Sequence, residues 1–227
     1  MEALGALAIL RAKFPTASNE LIQLILKREG EKAIVDWRAA QLIQFIGLME
    51  FFAEDLQAAY EKKRVMTVSW IARNLLEIFV WIQYCNVSET NAKRFYEDVA
   101  RDFHGYCKAL EKLNVDYQPG IDQSRDLVKR FSESAISEGI LDVAAGYKNV
   151  REAAEEIGVG SFYSGLNKIY SKLAHPTALA LDAAFRKVGR ENYRDLFTVD
   201  GMEFAIRALS DIEDFVRDGY GRTPSWT

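Results

Sequence analysis

Cysteine and histidine are scarce in this chain, with two of each in 227 residues, and that scarcity removes several chemistries at once. Cys85 and Cys107 both sit among apolar residues in a helical pattern, which speaks against a disulfide framework and fits a reducing cytoplasm. Two histidines and two cysteines, widely spaced, make no zinc pattern. A di-iron bundle needs Glu-x-x-His pairs, and the sequence has none. No metal or cofactor is expected.

Proline is rare too, with four in the chain, so long uninterrupted elements are expected. No stretch alternates apolar and polar residues as a strand would, and no repeat period is visible. Long apolar runs are missing. The longest, Ile78 to Ile82, lies between Glu77 and Gln83 and is far too short to span a bilayer. The apolar patch Leu4 to Leu10 follows Glu2 and precedes Arg11 and Lys13, the wrong order of charge for a secretory signal. Gly158-Val159-Gly160 lacks the full dinucleotide fingerprint and has no strand before it, and no phosphate-binding G-x-x-x-x-G-K-[ST] loop occurs. A net charge of −4 and an isoelectric point near 5.4 argue against a surface built for nucleic acid. The expectation is a soluble cytoplasmic protein that does not enter a membrane.

Apolar residues are plentiful, at 49%, enough for a substantial core. Their spacing is helical almost throughout. Met66 to Cys85 is apolar on every side, which predicts a buried helix. Around it the sequence predicts helices over 2–13, 19–28 (capped by Thr16 or Ser18), 32–63, 89–113 (capped by Ser88) and 122–137. A short helix follows, opened by an Asn149/Glu152 capping box and stopped at Gly158. Ser161 is read as the cap of a helix over 162–174, and His175 as the N-cap of one from Pro176 to about Val188. Asp200 and Glu203, with Val199 and Phe204 as a hydrophobic staple, predict the start of a closing helix over 200–217. The predicted fold is an all-α bundle of eight or more helices around the central helix 66–85, in one domain over 1–217. The N-terminal helices occupy 1–64, the core 66–190, and 218–227 is a loose tail.

Two places could carry chemistry. Arg73 and Glu77 lie one turn apart on the central helix. They read either as a polar island that holds an anion or as a buried structural ion pair. His175 sits at a helix–helix corner with Tyr163, Tyr170, Ser171, Lys172 and Thr177 nearby in sequence. A neutral imidazole there can act as a general base or a hydrogen-bond acceptor; the plainer role is a cap bonded to a tyrosine or carboxylate. His104 falls on the charged side of its helix and reads as surface. Residues 149–170 have the spacing of a helix-turn-helix, but the reading helix would offer Phe162, Tyr163, Ser164 and Asn167 with Lys168 as its single base, so nucleic acid is not the expected partner.

Arg73-x3-Glu77 in a buried helix, the segment A-A-E-E-I-G-V-G-S-F-Y, and Y-x6-Y-S-x-L-x-H-P-T around residue 170 together resemble a family of uncharacterised, largely bacterial all-helical proteins, over roughly residues 35–190. The resemblance implies the fold, and it implies that Arg73, Glu77, Tyr170 and His175 form one cluster. A more distant likeness is to helical domains of the nucleotide-binding and RNase type, many of which serve toxin–antitoxin or phage-defence systems. Those with RNase activity carry an Arg, a polar residue and a His on one helix. Here Arg73-Asn74 opens that pattern and no His follows, so RNA cleavage requires Arg73 and His175 to meet in space. Three functions follow as expectations. The first is a helical binding or regulatory protein for a small ligand or protein partner, in bacterial defence or regulation. The second is a metal-independent RNase-like hydrolase, with His175 as base, Arg73 as phosphate partner and Tyr170 and Glu77 as orienting groups. The third is a DNA binder through 149–170. The apolar face Leu21–Leu26 suggests a homodimer.

Overall fold

The computed structural model describes residues 16–27, 30, 37–113, 122–123, 125–126, 129–130, 133, 148–175, 177–185 and 190–218. The expected helix over 2–13 lies outside them, as do most of the expected helix over 122–137, all but the first residue of the tail, and the side chain of His104.

The chain folds as an all-α bundle. Helix α1 covers 16–27. It is followed by α2 (Trp37–Glu61), α3 (Val65–Val87) and α4 (Glu89–Lys112). Further along the chain, the described residues between 122 and 133 are helical, and then come α5 (Val150–Glu156), α6 (Gly160–Ala174), α7 (Ala178–Phe185) and α8 (Arg190–Arg217). The central helix is α3, which packs against α2, α4, α5, α6 and α8.

Why α3 takes the centre is clear from its side chains. Val68, Ile71, Ala72, Leu75, Leu76, Phe79, Val80 and Ile82 are buried, and at 3.6 residues per turn they cover most of its circumference. By length and composition α3 could cross a membrane. The short apolar run read from the sequence understated this, because Glu77 and Gln83 interrupt the run without breaking the helix. In the fold α3 is instead wrapped by other helices.

One narrow stripe of α3 escapes burial. Trp70, Arg73, Asn74, Glu77 and Trp81 are spaced three and four apart, and none is buried. The helix is therefore not closed off on all sides, and its two charged residues lie along the seam that reaches water, while the polar Ser69, Gln83 and Asn86 are buried. Asn74 donates its amide to the Trp70 carbonyl at 2.7 Å, which leaves Arg73 and Glu77 as the charged groups of the seam.

Several predicted helix starts hold. The Ser88 hydroxyl accepts from the Asn91 amide at 3.1 Å. Asn149 and Glu152 close a reciprocal capping box, each bond 3.0 Å. Gly158 takes a positive φ of 81°, which lets the Val159 N–H return to the Ala154 carbonyl at 2.8 Å and turns the chain into α6.

Others do not hold. Ser18 is already inside α1, with its hydroxyl 3.5 Å from Glu50. Ser161 lies within α6, which begins a residue earlier without a side-chain cap. His175 ends α6 rather than capping α7. The cap of α7 is Thr177, whose hydroxyl accepts from the Ala180 amide at 3.2 Å and donates to the Lys172 carbonyl. A hydroxyl on a short side chain reaches that amide two residues closer to the helix than the imidazole can.

The largest revision concerns Asp200-Gly201, which lies in the middle of α8 and does not start a helix. Gly201 is there for proximity: a β-carbon on it would stand 3.3 Å from both Ala72 Cα and Ala72 Cβ and 3.3 Å from Leu56 Cδ2. Its absence lets α8 lie close against α3. The face Leu21–Leu26 is likewise not open for pairing, since Leu21 and Ile25 belong to the core and Leu26 alone of the five apolar residues is exposed. On α4 the apolar stripe is covered near its start, where Phe95 meets Phe45 at 5.0 Å and Trp81 at 4.8 Å. Further along, Val99, Tyr106 and Leu113 are exposed.

Candidate functional site

The seam of α3 is one wall of a cleft. Helix α6 runs alongside it, fixed by the Ser69 hydroxyl donating to the Tyr170 carbonyl at 2.9 Å. Tyr163, Tyr170 and Leu173 point inward from α6. Its residues Ser164, Asn167 and Lys168, at i, i+3 and i+4, form a polar row beside the seam. The short helix α5 closes the third side with Asn149, Val150 and Arg151. Together with Arg73, Glu77 and Tyr163 these residues enclose an open cavity of about 380 Å³.

Arg73 is the hub. Its Nε donates to Glu77 Oε1 at 2.9 Å, and its Nη1 lies 3.0 Å from His175 Nε2. A guanidinium can only donate, so Nε2 must be the acceptor, which leaves the His175 proton on Nδ1. Arg73 thus uses two of its five N–H donors within the protein, and about three are left for a ligand. Its side chain and that of Glu77 are 27% and 22% exposed. The pair is therefore half-buried rather than sealed in the core. An i,i+4 ion pair of this kind contributes less than about 1 kcal/mol, because the desolvation of partly buried charges offsets their attraction.

Tyr163 supports the pair from below. Its phenol is buried, and it lines the same cavity as the Glu77 carboxylate. Burial pushes the phenol up to about 12, and the negative charge of Glu77 adds to this while Arg73 opposes it. The phenol therefore keeps its proton across the physiological range.

The rim carries two more cations. Arg151 pairs with Glu155 at 2.9 Å, both well exposed. Lys168 is exposed and makes no ion pair among the described residues. Glu77 and Glu155 thus balance Arg73 and Arg151, and Lys168 supplies the excess positive charge of the cleft. No group of three metal-binding side chains occurs among the described residues.

The structure brings together three of the four residues singled out from the sequence: Arg73, Glu77 and His175. Tyr170 is the exception. Its backbone touches α3, but its side chain turns the other way, edge-on to Phe197 at 5.2 Å between centroids, and its hydroxyl donates to Asp200 Oδ2 at 2.9 Å. Burial raises the pKa of both groups, and for Asp200 the hydrogen bond from Tyr170 works against that rise. The tyrosine beside Arg73 and Glu77 is Tyr163. The sequence reading also passed over Asn149, Arg151, Ser164, Asn167 and Lys168 as site residues. The i, i+3, i+4 polar row on α6 was the available signal, and it was absorbed into the helix-turn-helix reading. That motif's two helices exist as α5 and α6, but Tyr163 is buried and the Ser164–Lys168 row lines a concave cleft.

A family model matches residues 53–193, more than half of the chain. The chain belongs to DUF5677, a family of unknown function. The matched span contains α3, α5 and α6, and hence every residue of the cleft, together with His175. No curated protein and no solved structure matches the chain.

Proposed function

We propose that the protein is a helical binding protein for a small anionic ligand, which it holds in the cleft between α3, α5 and α6 to serve a regulatory or defence role in a bacterial cytoplasm. The observation that carries the reading is Arg73. Its guanidinium is held between Glu77 at 2.9 Å and His175 at 3.0 Å, and it lines an open cavity that Arg151 and Lys168 also line. Holding an arginine by two of its donors orients the rest before the ligand arrives, which reduces the entropy lost on binding. The two free cysteines, both buried, suit a reducing compartment.

The hydrolase reading draws support from the same contact, because it needs Arg73 and His175 to meet. The details favour binding. The lone pair on His175 Nε2 accepts from Arg73, so it is not free to take a proton from water or a hydroxyl. His175 acts here as a positioning residue that aims Arg73.

The test is equilibrium binding of phosphate, sulfate and small organic phosphates, followed by calorimetry and by the rise in melting temperature. Binding is expected to weaken with salt and to fall about tenfold or more in Lys168→Ala and in Arg73→Gln, since each loses a charge-assisted bond. Lys168 is exposed, so its variant keeps the fold. Absence of saturable binding by any oxyanion at low salt would overturn the proposal. Steady turnover of a phosphodiester, lost in His175→Ala, would replace it with the hydrolase.

A further inference from the structure

The lining of the cleft says more about its ligand than its sign of charge. Arg73, Arg151 and Lys168 approach from three different helices. A carboxylate offers two oxygens, whereas a phosphoryl group offers three terminal oxygens in a tetrahedral spread, one for each cation. The excess charge is small, because Glu77 and Glu155 already neutralise two of the three. A di- or triphosphate would bring far more negative charge than the cleft balances, whereas one phosphoryl group, at about −1.5 to −2, comes nearest to it.

The rest of the lining is made of hydroxyl-binding groups. Ser164 offers a donor and an acceptor, and Asn149 and Asn167 offer their amide N–H donors, since Asn149 Oδ1 accepts from the Glu152 amide and Asn167 Oδ1 from the Ser171 hydroxyl. Glu77 has its second oxygen, Oε2, beyond the one that Arg73 holds. By contrast, Val150 is the sole aliphatic side chain among the described lining residues, and Tyr163, the one aromatic side chain among them, is buried. Among the described residues no exposed ring lies in the lining, and the seam's Trp70 and Trp81 stand outside it, so a nucleobase in the cavity would lack the stacking partner that sites for bases ordinarily supply. The cavity, at about 380 Å³, is at the small end for organic ligands.

Resting on the anion-binding reading above, we infer that the ligand is a small polyhydroxylated phosphate monoester, of the sugar-phosphate or polyol-phosphate class. Its phosphoryl group sits among Arg73, Arg151 and Lys168. Its hydroxyls bond to Asn149, Ser164, Asn167 and the free oxygen of Glu77.

The experiment compares four probes on the full chain by calorimetry: inorganic phosphate, ribose 5-phosphate, glycerol phosphate and adenosine monophosphate. The sugar and polyol phosphates are expected to bind about tenfold or more tightly than inorganic phosphate, the gain of one or two good hydrogen bonds. Adenosine monophosphate is expected to bind more weakly than ribose 5-phosphate. Asn167→Ala should remove about tenfold of the sugar-phosphate affinity while leaving inorganic phosphate unchanged. Lys168→Ala should weaken all four alike. If inorganic phosphate binds as tightly as the esters, the cleft is a phosphate site and this inference fails while the anion-binding reading stands. If adenosine monophosphate binds most tightly, the ligand is a nucleotide and the inference fails in the same way. If nothing binds, both fail together.

Discussion

Replacing Tyr170 with phenylalanine removes one oxygen atom from the interior and should cost more than that atom suggests. The hydroxyl is fully buried and donates to Asp200 Oδ2 at 2.9 Å. Without it the carboxylate loses its hydrogen-bond donor in a place where burial already penalises the charge and Glu203 adds repulsion. A hydrogen bond to a charged group contributes about 1.5–3 kcal/mol, so we expect a loss of about 2 kcal/mol, or about 4–8 °C in melting temperature for a chain of this size. Asp200→Asn keeps the acceptor and removes the charge, so it should be near neutral or stabilising at pH 7. In the Asp200→Asn background, Tyr170→Phe should cost only about 1 kcal/mol, the value of a neutral bond. The pH dependence follows from the raised carboxyl. A folded-state pKa above the unfolded value means the native state binds the proton more tightly, so this group's contribution is full at acid pH and is lost as pH rises through the folded pKa. Tyr170→Phe removes the bond that holds that pKa down. The Asp200 contribution should then steepen, and the penalty of the variant should shrink as pH falls toward the carboxylate range. Urea unfolding of the four members of the cycle at neutral and mildly acid pH measures all of this. A Tyr170→Phe penalty below about 0.5 kcal/mol, or one that does not change with Asp200→Asn, would refute the reasoning.

Three further expectations follow from the fold. Gly201→Val should destabilise the protein by about 2 kcal/mol in a thermal melt, despite the poor helix propensity of glycine, because its β-carbon meets the α3 backbone at Ala72 and overpacking costs about 1–3 kcal/mol; an unchanged melt would show that α3 and α8 are not held this close. Thr177→Ala should cost about 1 kcal/mol as a lost helix cap, whereas His175→Ala should spare the α7 cap, a contrast read by chemical denaturation that would reverse if His175 were the cap. Tyr163, pushed up to about 12, stabilises the fold fully below the usual phenol value near 10 and loses that contribution as pH climbs toward 12; its phenolate absorbance should appear late in an alkaline titration and earlier in Glu77→Gln, and no difference between the two would separate Tyr163 from Glu77.

How much of this was legible in the sequence depends on the kind of signal. The helices were legible because the 3.6-residue period of the apolar residues and the caps at Ser88 and Asn149 depend on neighbours in sequence alone. Asp200-Gly201 misled because its two residues have the chemistry of a cap but serve tertiary ends. The aspartate takes a hydrogen bond from Tyr170, and the glycine admits α3. Tyr163 and Tyr170 show a different limit. They are seven positions apart, so on a helix they differ by only about 20° in direction. The periodicity puts both on the inner face and cannot say which one meets Arg73. That choice is made by position along α3: Ser69 aligns with Tyr170 and Glu77 aligns with Tyr163. The cleft residues of α5 and α6 were visible as polar residues, but only the packing of three helices turns them into one wall-lined cavity.

The state of the His175 ring tests the placement of Arg73 most directly. The chain has two histidines, so imidazole nitrogen resonances of labelled protein are simple to assign with a His104→Gln control. His175 should carry its proton on Nδ1 and leave Nε2 as acceptor for Arg73. Both nitrogens should shift when a phosphate ester is added, and the tautomer preference should be lost in Arg73→Gln. A His175 ring protonated on Nε2, with no response to phosphate esters, would contradict the placement of Arg73 and the site built on it.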